Sequence, residues 1–227
     1  MGTLYIVATP IGNLEDITLR ALRILKDVDI IFCEDTRVTR TLLSYYEITT
    51  KTESYHAHSK DKKTERIIAL LNAGGTLALV SDAGTPGISD PGVELVREIR
   101  ELNSEEIHIE VIPGPSALTS ALSVAGVPTT PMTFFGFPPH KKGRKTFFDV
   151  IASTVNTIVF YESTHRIEKA LNEINDREPT RQLVLVKELS KMHETVARGT
   201  AREILEWLSL DTARTKGEFV VVVEPQK

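Results

Sequence analysis

The chain has 227 residues, of which 41% are hydrophobic and 26% charged, as expected for a globular protein with one large or two small domains. Its net charge of −4 argues against binding nucleic acid by bulk charge, and its single cysteine, Cys33, excludes an intrachain disulfide. The single cysteine fits a reducing cytoplasm, where we expect the protein. The start, MGTLYIVATPIGN, lacks signal-peptide features, and no run of about 18 apolar residues occurs, so we expect no membrane span.

The first 125 residues alternate short apolar runs with helical patterns. We predict strands at 4–8, 29–33, 76–81 and 107–112, where branched apolar residues cluster. We predict helices at 17–27, 39–46, 62–74 and 92–103, where apolar residues recur at helical spacing, and Gly74 and Gly75 suit a helix end. Strands that are apolar on both faces and separated by helices predict an N-terminal α/β domain over 1–125, with a mainly parallel sheet.

The composition changes over residues 126–145, GVPTTPMTFFGFPPHKKGRK. This stretch holds four prolines, three glycines and five positive residues, counting His140, and we interpret it as a linker with a basic loop. Beyond it, the patterns predict strands at 156–162, 182–189 and 218–224, with helices at 164–174 and near 201–208. We therefore predict a smaller C-terminal α/β domain with a mixed sheet over 146–227.

Glycine- and proline-rich loops follow three predicted strands, at 8–18, 81–92 and 113–126. Ligands of open α/β sheets bind beyond the carboxyl ends of the strands, although glycine and proline also mark plain turns. The phosphate-binding patterns GxxxxGK[ST] and GxGxxG are absent, and SDAGTPGISDPG carries aspartates but no lysine or arginine. The residues thus favour a polar ligand without phosphate, such as S-adenosylmethionine, but do not identify it alone.

Eight motifs occur in order: TPIGNLEDIT, CEDTRVT, SDAGTPGISDPG, PGPSA, FFGF, FYESTHR, VKELSKMHE and KGEFVVVVE. Together they resemble the ribosomal RNA small subunit methyltransferase I family, of the tetrapyrrole-methylase superfamily of S-adenosylmethionine enzymes. The resemblance implies two α/β domains with the cofactor in the cleft between them, a homodimer, and 2′-O-methylation of a cytidine ribose in small-subunit (16S) ribosomal RNA. Many family members continue past the last strand into a short basic helical region, whereas this sequence ends at EPQK.

The resemblance also implies which residues bind the cofactor. They are Pro10, Asp82, Gly84, Thr85, Gly87, Ser116, Ala117, Tyr161, Glu162, Gly217 and Glu218. Those at 82–87 would line the methionine and ribose end, and Tyr161 and Glu162 would face the adenosine. Ser116 also suits the N-cap of a helix beginning at Ala117, whose N-terminus attracts a carboxylate; capping alone is the alternative.

Catalysis calls for a base, since a ribose hydroxyl is a weak nucleophile and general base catalysis contributes about 10²–10⁴-fold. The candidates are Glu34, Asp35 and Arg37 in CEDTR, directly after a predicted strand. Two adjacent confined carboxylates can raise the pKa of one of them. The alternative is a solvated carboxylate pair partnered by Arg37.

The middle of the chain is its basic part: residues 137–198 carry 11 Lys and Arg against 8 Asp and Glu, whereas residues 1–136 carry 12 against 18. The best predicted RNA contact is HKKGRK, with Lys141, Lys142, Arg144 and Lys145 on phosphates, against the alternative of a solvated basic loop.

No metal site is predicted, since His56 and His58 have no third ligand nearby in sequence. The function alternatives are a tetrapyrrole C-methyltransferase and a non-catalytic ribosome-assembly or cofactor-binding module.

Overall fold

The computed structural model of the protein describes residues 1–55, 60–90, 92–102 and 106–226, so His56 and His58 lie outside the described residues. The chain divides into two compact units, residues 1–116 and 117–227. Each unit is built on one five-stranded sheet. The predicted α/β class, with a sheet in each half of the chain, is confirmed.

The first sheet is parallel throughout. Its strands are β1 (Gly2–Val7), β2 (Ile30–Cys33), β3 (Lys51–Ser54), β4 (Thr76–Val80) and β5 (Ile107–Ile112), in the order β3-β2-β4-β1-β5. Four of these strands were predicted. The sequence did not predict β3, because KTES is polar and partly exposed and so gives no apolar signal.

Helices cover both faces of this sheet. They are α1 (Leu19–Asp27), α2 (Thr36–Tyr45), α3 (Lys60–Asn72) and α4 (Gly92–Glu101). The apolar sides of α1 and α2 pack on one face of the sheet, and those of α3 and α4 on the other. Right-handed crossovers explain this division, since the chain moves one way along the sheet through β1, β2 and β3 and then returns. Gly74, predicted near a helix end, has a φ of +87° and donates its N–H to the Leu71 carbonyl at 2.8 Å.

The second unit carries a mixed sheet. Its elements are α5 (Ala117–Ala125), β6 (Met132–Phe134), α6 (Arg144–Ser153), β7 (Thr157–Ser163), α7 (Ile167–Asn175), β8 (Gln182–Lys187), β9 (Thr195–Thr200), α8 (Ala201–Ser209) and β10 (Glu218–Val223). The strand order is β6-β7-β10-β8-β9, with β6 and β7 parallel and the other neighbours antiparallel. One face packs against α6, α7 and α8, and the other against α5.

Residues 126–145, predicted as a linker and basic loop, lie within the second unit. They include β6, and α6 begins at Arg144. The sequence did not predict β6, because a strand of three residues is too short to show an alternating pattern. The prolines and glycines around it also favoured a loop. The described helices include none long and apolar enough to cross a membrane.

Candidate functional site

The loops that follow β1 and β4 are joined at the carboxyl end of the first sheet. Thr9 and Gly84 exchange two backbone hydrogen bonds, of 2.9 and 3.0 Å. The Thr9 hydroxyl donates to the Ser81 carbonyl at 3.1 Å, and Ser81 is itself buried. Gly84 has a φ of +78°, a conformation that favours glycine, so this contact depends on the residue type. Pro10, predicted to border the cofactor, is buried directly after Thr9.

Two further strand ends reach the same place. After β5, the Pro115 carbonyl accepts a hydrogen bond from the Thr85 hydroxyl at 3.4 Å. After β2, the backbone N–H of Asp35 donates to Asp82 Oδ1 at 2.9 Å. Loops from β1, β2, β4 and β5 are therefore hydrogen-bonded into one cluster. We predicted this for three of them from their glycine and proline content.

After the neighbouring strands β2 and β4, the chain continues to opposite faces of the sheet. The helix that follows β2, α2, packs on one face, and the helix that follows β4, α4, packs on the other. In open α/β sheets, such a reversal opens a crevice beyond the carboxyl ends, where ligands bind. A small cavity lies at this point, and its lining includes Glu34, Tyr55, Ser81 and Asp90. The predicted base Glu34 is thus at the crevice.

Asp90 shapes the 81–92 loop, although we did not predict it as a functional residue. Its Oδ1 accepts the backbone N–H of Gly87 at 2.7 Å and that of Gly92 at 2.9 Å. The Asp90 side chain therefore joins the end of the loop to the first residue of α4, Gly92. The signal in the sequence is the SDPG stretch, since aspartate readily accepts the N–H two residues on.

Asp35 and Arg37 form an exposed ion pair rather than a confined carboxylate pair. Arg37 Nη2 lies 2.6 Å from Asp35 Oδ2, and Asp35 Oδ1 accepts the Arg37 backbone N–H, capping α2. These hydrogen bonds lower the pKa of Asp35 to about 2, the direction that follows from the alternative in which Arg37 partners the carboxylates. A carboxyl with so low a pKa is a poor general base.

In the second unit, Glu162 is buried in an ion cluster. Its Oε1 lies 2.9 Å from Arg166 Nε and accepts the Ser163 N–H at 2.8 Å, while Oε2 lies 3.6 Å from Arg144 Nη1. Glu162 and Arg144 are 1% and 4% exposed. The side chain that the resemblance assigns to the adenosine is therefore already engaged by two guanidinium groups.

The same burial changes the predicted RNA contact. Arg144 donates to the Pro139 carbonyl at 3.3 Å and lies 4.9 Å from the centre of the Phe148 ring, so its charge is not presented at the surface. Lys141, Lys142 and Lys145 are exposed, as we expected. The basic loop thus offers three of its four predicted cations.

Of the other predicted cofactor residues, Tyr161 is partly buried against Phe134 and Phe137, and burial raises its pKa. The Gly217 N–H donates to the Thr164 hydroxyl at 2.7 Å. Glu218 is largely exposed and pairs with Lys191 at 3.0 Å.

Lys191 also contacts Glu188 at 2.9 Å. Burial raises the pKa of Glu188, but hydrogen bonds from the Glu218 N–H and the Lys191 ammonium outweigh that effect and lower it.

Over the described residues, no group of three or more His, Cys, Asp and Glu side chains is arranged to hold a metal ion.

Comparison with known proteins gives consistent results. A family model described as Tetrapyrrole (Corrin/Porphyrin) Methylases matches residues 3–205. The chain is 46% identical to the ribosomal RNA small subunit methyltransferase I of Halalkalibacterium halodurans, over 98% of this chain and 76% of that protein. It is 45% identical to the protein of the same name from Escherichia coli O157:H7, over 100% of this chain and 79% of that protein.

Solved structures show the same fold at lower identity. Uroporphyrin-III-C-methyltransferase from Thermus thermophilus superposes with a TM-score of 0.68 at 21% identity, covering 98% of this chain and 94% of that one. Diphthine synthase superposes with a TM-score of 0.73 at 13% identity, covering 98% and 90%.

Proposed function

This chain belongs to the ribosomal RNA small subunit methyltransferase I family, within the tetrapyrrole methylases, and on that premise we propose its reaction. It transfers a methyl group from S-adenosylmethionine to the 2′-hydroxyl of a cytidine ribose in small-subunit ribosomal RNA, in the cytoplasm and as a homodimer. The observation that carries this proposal is the hydrogen-bonded cluster of four loops at the carboxyl end of the first sheet.

The chemistry of these loops fits the cofactor. Three of the four loops, at 8–18, 81–92 and 113–116, contain no lysine or arginine, and Arg37 of the fourth is paired with Asp35, which disfavours a phosphate ligand. Asp82 is exposed and uses Oδ1 for the Asp35 N–H, which leaves Oδ2 able to accept a hydrogen bond from a ligand. When bound, S-adenosylmethionine supplies a methyl group carried on a positive sulfonium.

Around that group, we assign the binding of the methionine and ribose end to five residues of the first unit: Pro10, Asp82, Gly84, Thr85 and Gly87. A carboxylate beside a cationic ligand is favourable, and the rigid bridge between Thr9 and Gly84 keeps the backbone in place before binding. Ser116, Ala117, Tyr161, Gly217 and Glu218 stay predictions for the rest of the site. Glu162 acts instead through its ion cluster.

The proton of the ribose hydroxyl needs an acceptor, and the structure favours Glu34 over Asp35. Glu34 is partly buried at the crevice, whereas Asp35 is held ionised by Arg37 and is a weak base. Alignment of the acceptor oxygen would contribute further, since orientation supplies about 7–11 kcal/mol in favourable cases. We assign Asp35 and Arg37 to positioning, because Asp35 caps α2 and binds Asp82 through its N–H.

The test of turnover uses tritiated S-adenosylmethionine and two acceptors, undermethylated small ribosomal subunits and uroporphyrinogen III. We expect label in the ribosomal RNA. Label only in the tetrapyrrole would support a C-methyltransferase instead, as the name of the Thermus thermophilus neighbour suggests. Binding of subunits without label in either acceptor would indicate a non-catalytic assembly module.

A second experiment tests the RNA contact. Replacing Lys141, Lys142 and Lys145 together by serine removes three exposed cations. Each lost phosphate contact on single-stranded RNA lowers the slope of log affinity against log salt by about 0.7, so we expect a decrease of about 2. The matched control replaces three exposed cations of α1 and α4, Lys26, Arg97 and Arg100. Equal slopes for both triple variants would refute the assignment.

A further inference from the structure

We propose that Phe137 is a stacking platform for an unpaired nucleobase of the RNA substrate. The proposal rests on the function above. It adds an aromatic residue that stacks on a base to the lysines that we propose as phosphate contacts. The observations behind it all come from the second unit: an exposed aromatic ring, its charged surroundings and the anchoring of its backbone.

The ring of Phe137 is unusually exposed for its type. The chain has 14 aromatic residues, and in the described structure only Phe137, at 50%, and Tyr45, at 59%, are large exposed aromatic side chains. Burying such a ring stabilises a protein by about 1.5–3 kcal/mol, so leaving it in solvent forgoes stability. Phe137 contacts Tyr161 edge to face, with ring centres 5.4 Å apart, and so adjoins a residue predicted to bind the cofactor.

The surroundings of Phe137 favour an anionic, base-bearing ligand. The exposed cations Lys141, Lys142 and Lys145 follow within eight residues. No Asp or Glu occurs from residue 111 to residue 148, a stretch of 38 residues. Proteins bind single-stranded nucleic acid by combining positive charge along the backbone with aromatic rings on which bases stack. A protein partner with an acidic surface would also meet these cations, but it would not call for a solvent-exposed aromatic ring in the same segment of the chain.

The backbone on both sides of Phe137 is fixed. Before it, the Gly136 carbonyl accepts the Tyr161 N–H at 2.9 Å. After it, the Pro138 carbonyl accepts a hydrogen bond from Arg166 Nη1 at 3.0 Å, and the Pro139 carbonyl accepts one from Arg144. Both arginines are held by the buried carboxylate of Glu162, described above. A ring presented from an anchored backbone loses little freedom on binding, which favours affinity.

Tyr45 provides a matched control. It lies at the end of α2, it is exposed to a similar degree, and it too contacts a tyrosine edge to face, Tyr46 at 4.9 Å. Cations also occur within eight residues of Tyr45, but there they are mixed with the carboxylates Glu47 and Glu53, whereas no Asp or Glu lies within eight residues of Phe137.

The experiment measures binding of fluorescein-labelled decacytidylate to the full chain by anisotropy, over a range of salt concentrations. For Phe137→Ala, we expect affinity to fall about 5- to 150-fold, the effect of losing one base stack, with the salt slope unchanged because the phosphate contacts remain. Phe137→Trp and Tyr45→Ala should both bind decacytidylate with the affinity of the wild type. Calorimetry should show equal S-adenosylmethionine affinity for Phe137→Ala and the wild type.

Equal RNA affinity of Phe137→Ala and the wild type would overturn the proposal, as would an equal loss in Tyr45→Ala. If Phe137→Ala keeps its RNA affinity while the wild type methylates small subunits, only the stacking role fails. If Phe137→Ala loses affinity while the wild type methylates nothing, the stacking role stands and the proposed reaction fails. A wild type that binds no decacytidylate at the lowest salt overturns the stacking role whatever the methylation result.

Discussion

Replacing Glu162 by glutamine removes one charge from a buried cluster while keeping the side chain's size and shape. In the native protein, the Glu162 carboxylate has no exposed surface, and its partners Arg144 and Arg166 are 5% and 17% exposed. The variant would leave two guanidinium groups near each other without a balancing carboxylate. It would also weaken the hydrogen bonds from these arginines to the Pro138 and Pro139 carbonyls. The segment that carries Phe137 would then be less firmly held.

The expected cost follows from burial. Breaking a buried ion pair by removing one partner costs about 3–5 kcal/mol, because the remaining charge has no compensation. We take the lower end, about 3 kcal/mol, since Arg166 keeps some solvent contact. Glu162 Oε2 also makes no hydrogen bond within the described part of the chain. A matched exposed pair gives the comparison: Arg202 and Glu206 also lie four residues apart and are 78% and 67% exposed, so Glu206→Gln should cost about 0.5 kcal/mol or less.

Urea unfolding followed by tryptophan fluorescence measures both variants. The chain has one tryptophan, Trp207 on α8, so the signal reports on the second unit, which also holds the cluster. A loss of about 3 kcal/mol is a large part of the 5–15 kcal/mol typical of a folded protein, and it should be evident as a lower midpoint. If the unfolding free energy of Glu162→Gln lies within about 0.5 kcal/mol of the wild-type value, its cost is no larger than that expected of Glu206→Gln. Burial of the ion pair would then not have the predicted effect.

Three further predictions concern the loops and the charged groups. Asp82→Asn should weaken S-adenosylmethionine binding about 10- to 150-fold in calorimetry, because it removes a charge-assisted contact, while Asp211→Asn, another carboxylate that accepts a backbone N–H, should not; equal affinities would remove Asp82 from the site. Asp90→Ala should cost about 1–3 kcal/mol in urea unfolding, because two N–H groups lose their acceptor, and Asp90→Asn should recover most of it. The lowered pKa of Glu188 means that its ion pair with Lys191 stabilises the fold at neutral pH and stops doing so as the pH falls below 4.5; the unfolding free energies of the wild type and Glu188→Gln should therefore converge between pH 7 and pH 3, and a constant difference would contradict this.

The sequence predicted the first sheet well because its signals are local. Runs such as LYIVA and TLALVS are apolar on both faces, as buried parallel strands require, and glycines mark the helix end at Gly74. The strands that were missed lie at sheet edges: β3, β6 and β9 are terminal in their sheets, short or polar, and half exposed. An edge strand is covered on fewer sides, so its sequence carries a weaker pattern.

The site was predicted in outline, but not in its pairings. Glycine and proline content located the loops, yet nothing local indicates that Asp35 would hold Asp82 through a backbone N–H across 47 positions. Nothing local indicates the pairing of Arg144 either, because the sequence shows it only as one cation of the basic run HKKGRK. Only the fold brings it to Glu162, 18 positions later, and burial then turns a predicted phosphate contact into a structural ion pair.

The atom that receives the methyl group decides whether the proposed reaction is the right one. Ribosomal RNA labelled by the chain with tritiated S-adenosylmethionine would be digested to nucleosides and separated against standards, with a parallel sample hydrolysed in alkali. A methyl group on the ribose oxygen blocks alkaline cleavage at the adjoining phosphodiester. We predict label in 2′-O-methylcytidine and in an alkali-resistant dinucleotide. Label confined to a base-methylated nucleoside, released in full by alkali, would contradict this prediction.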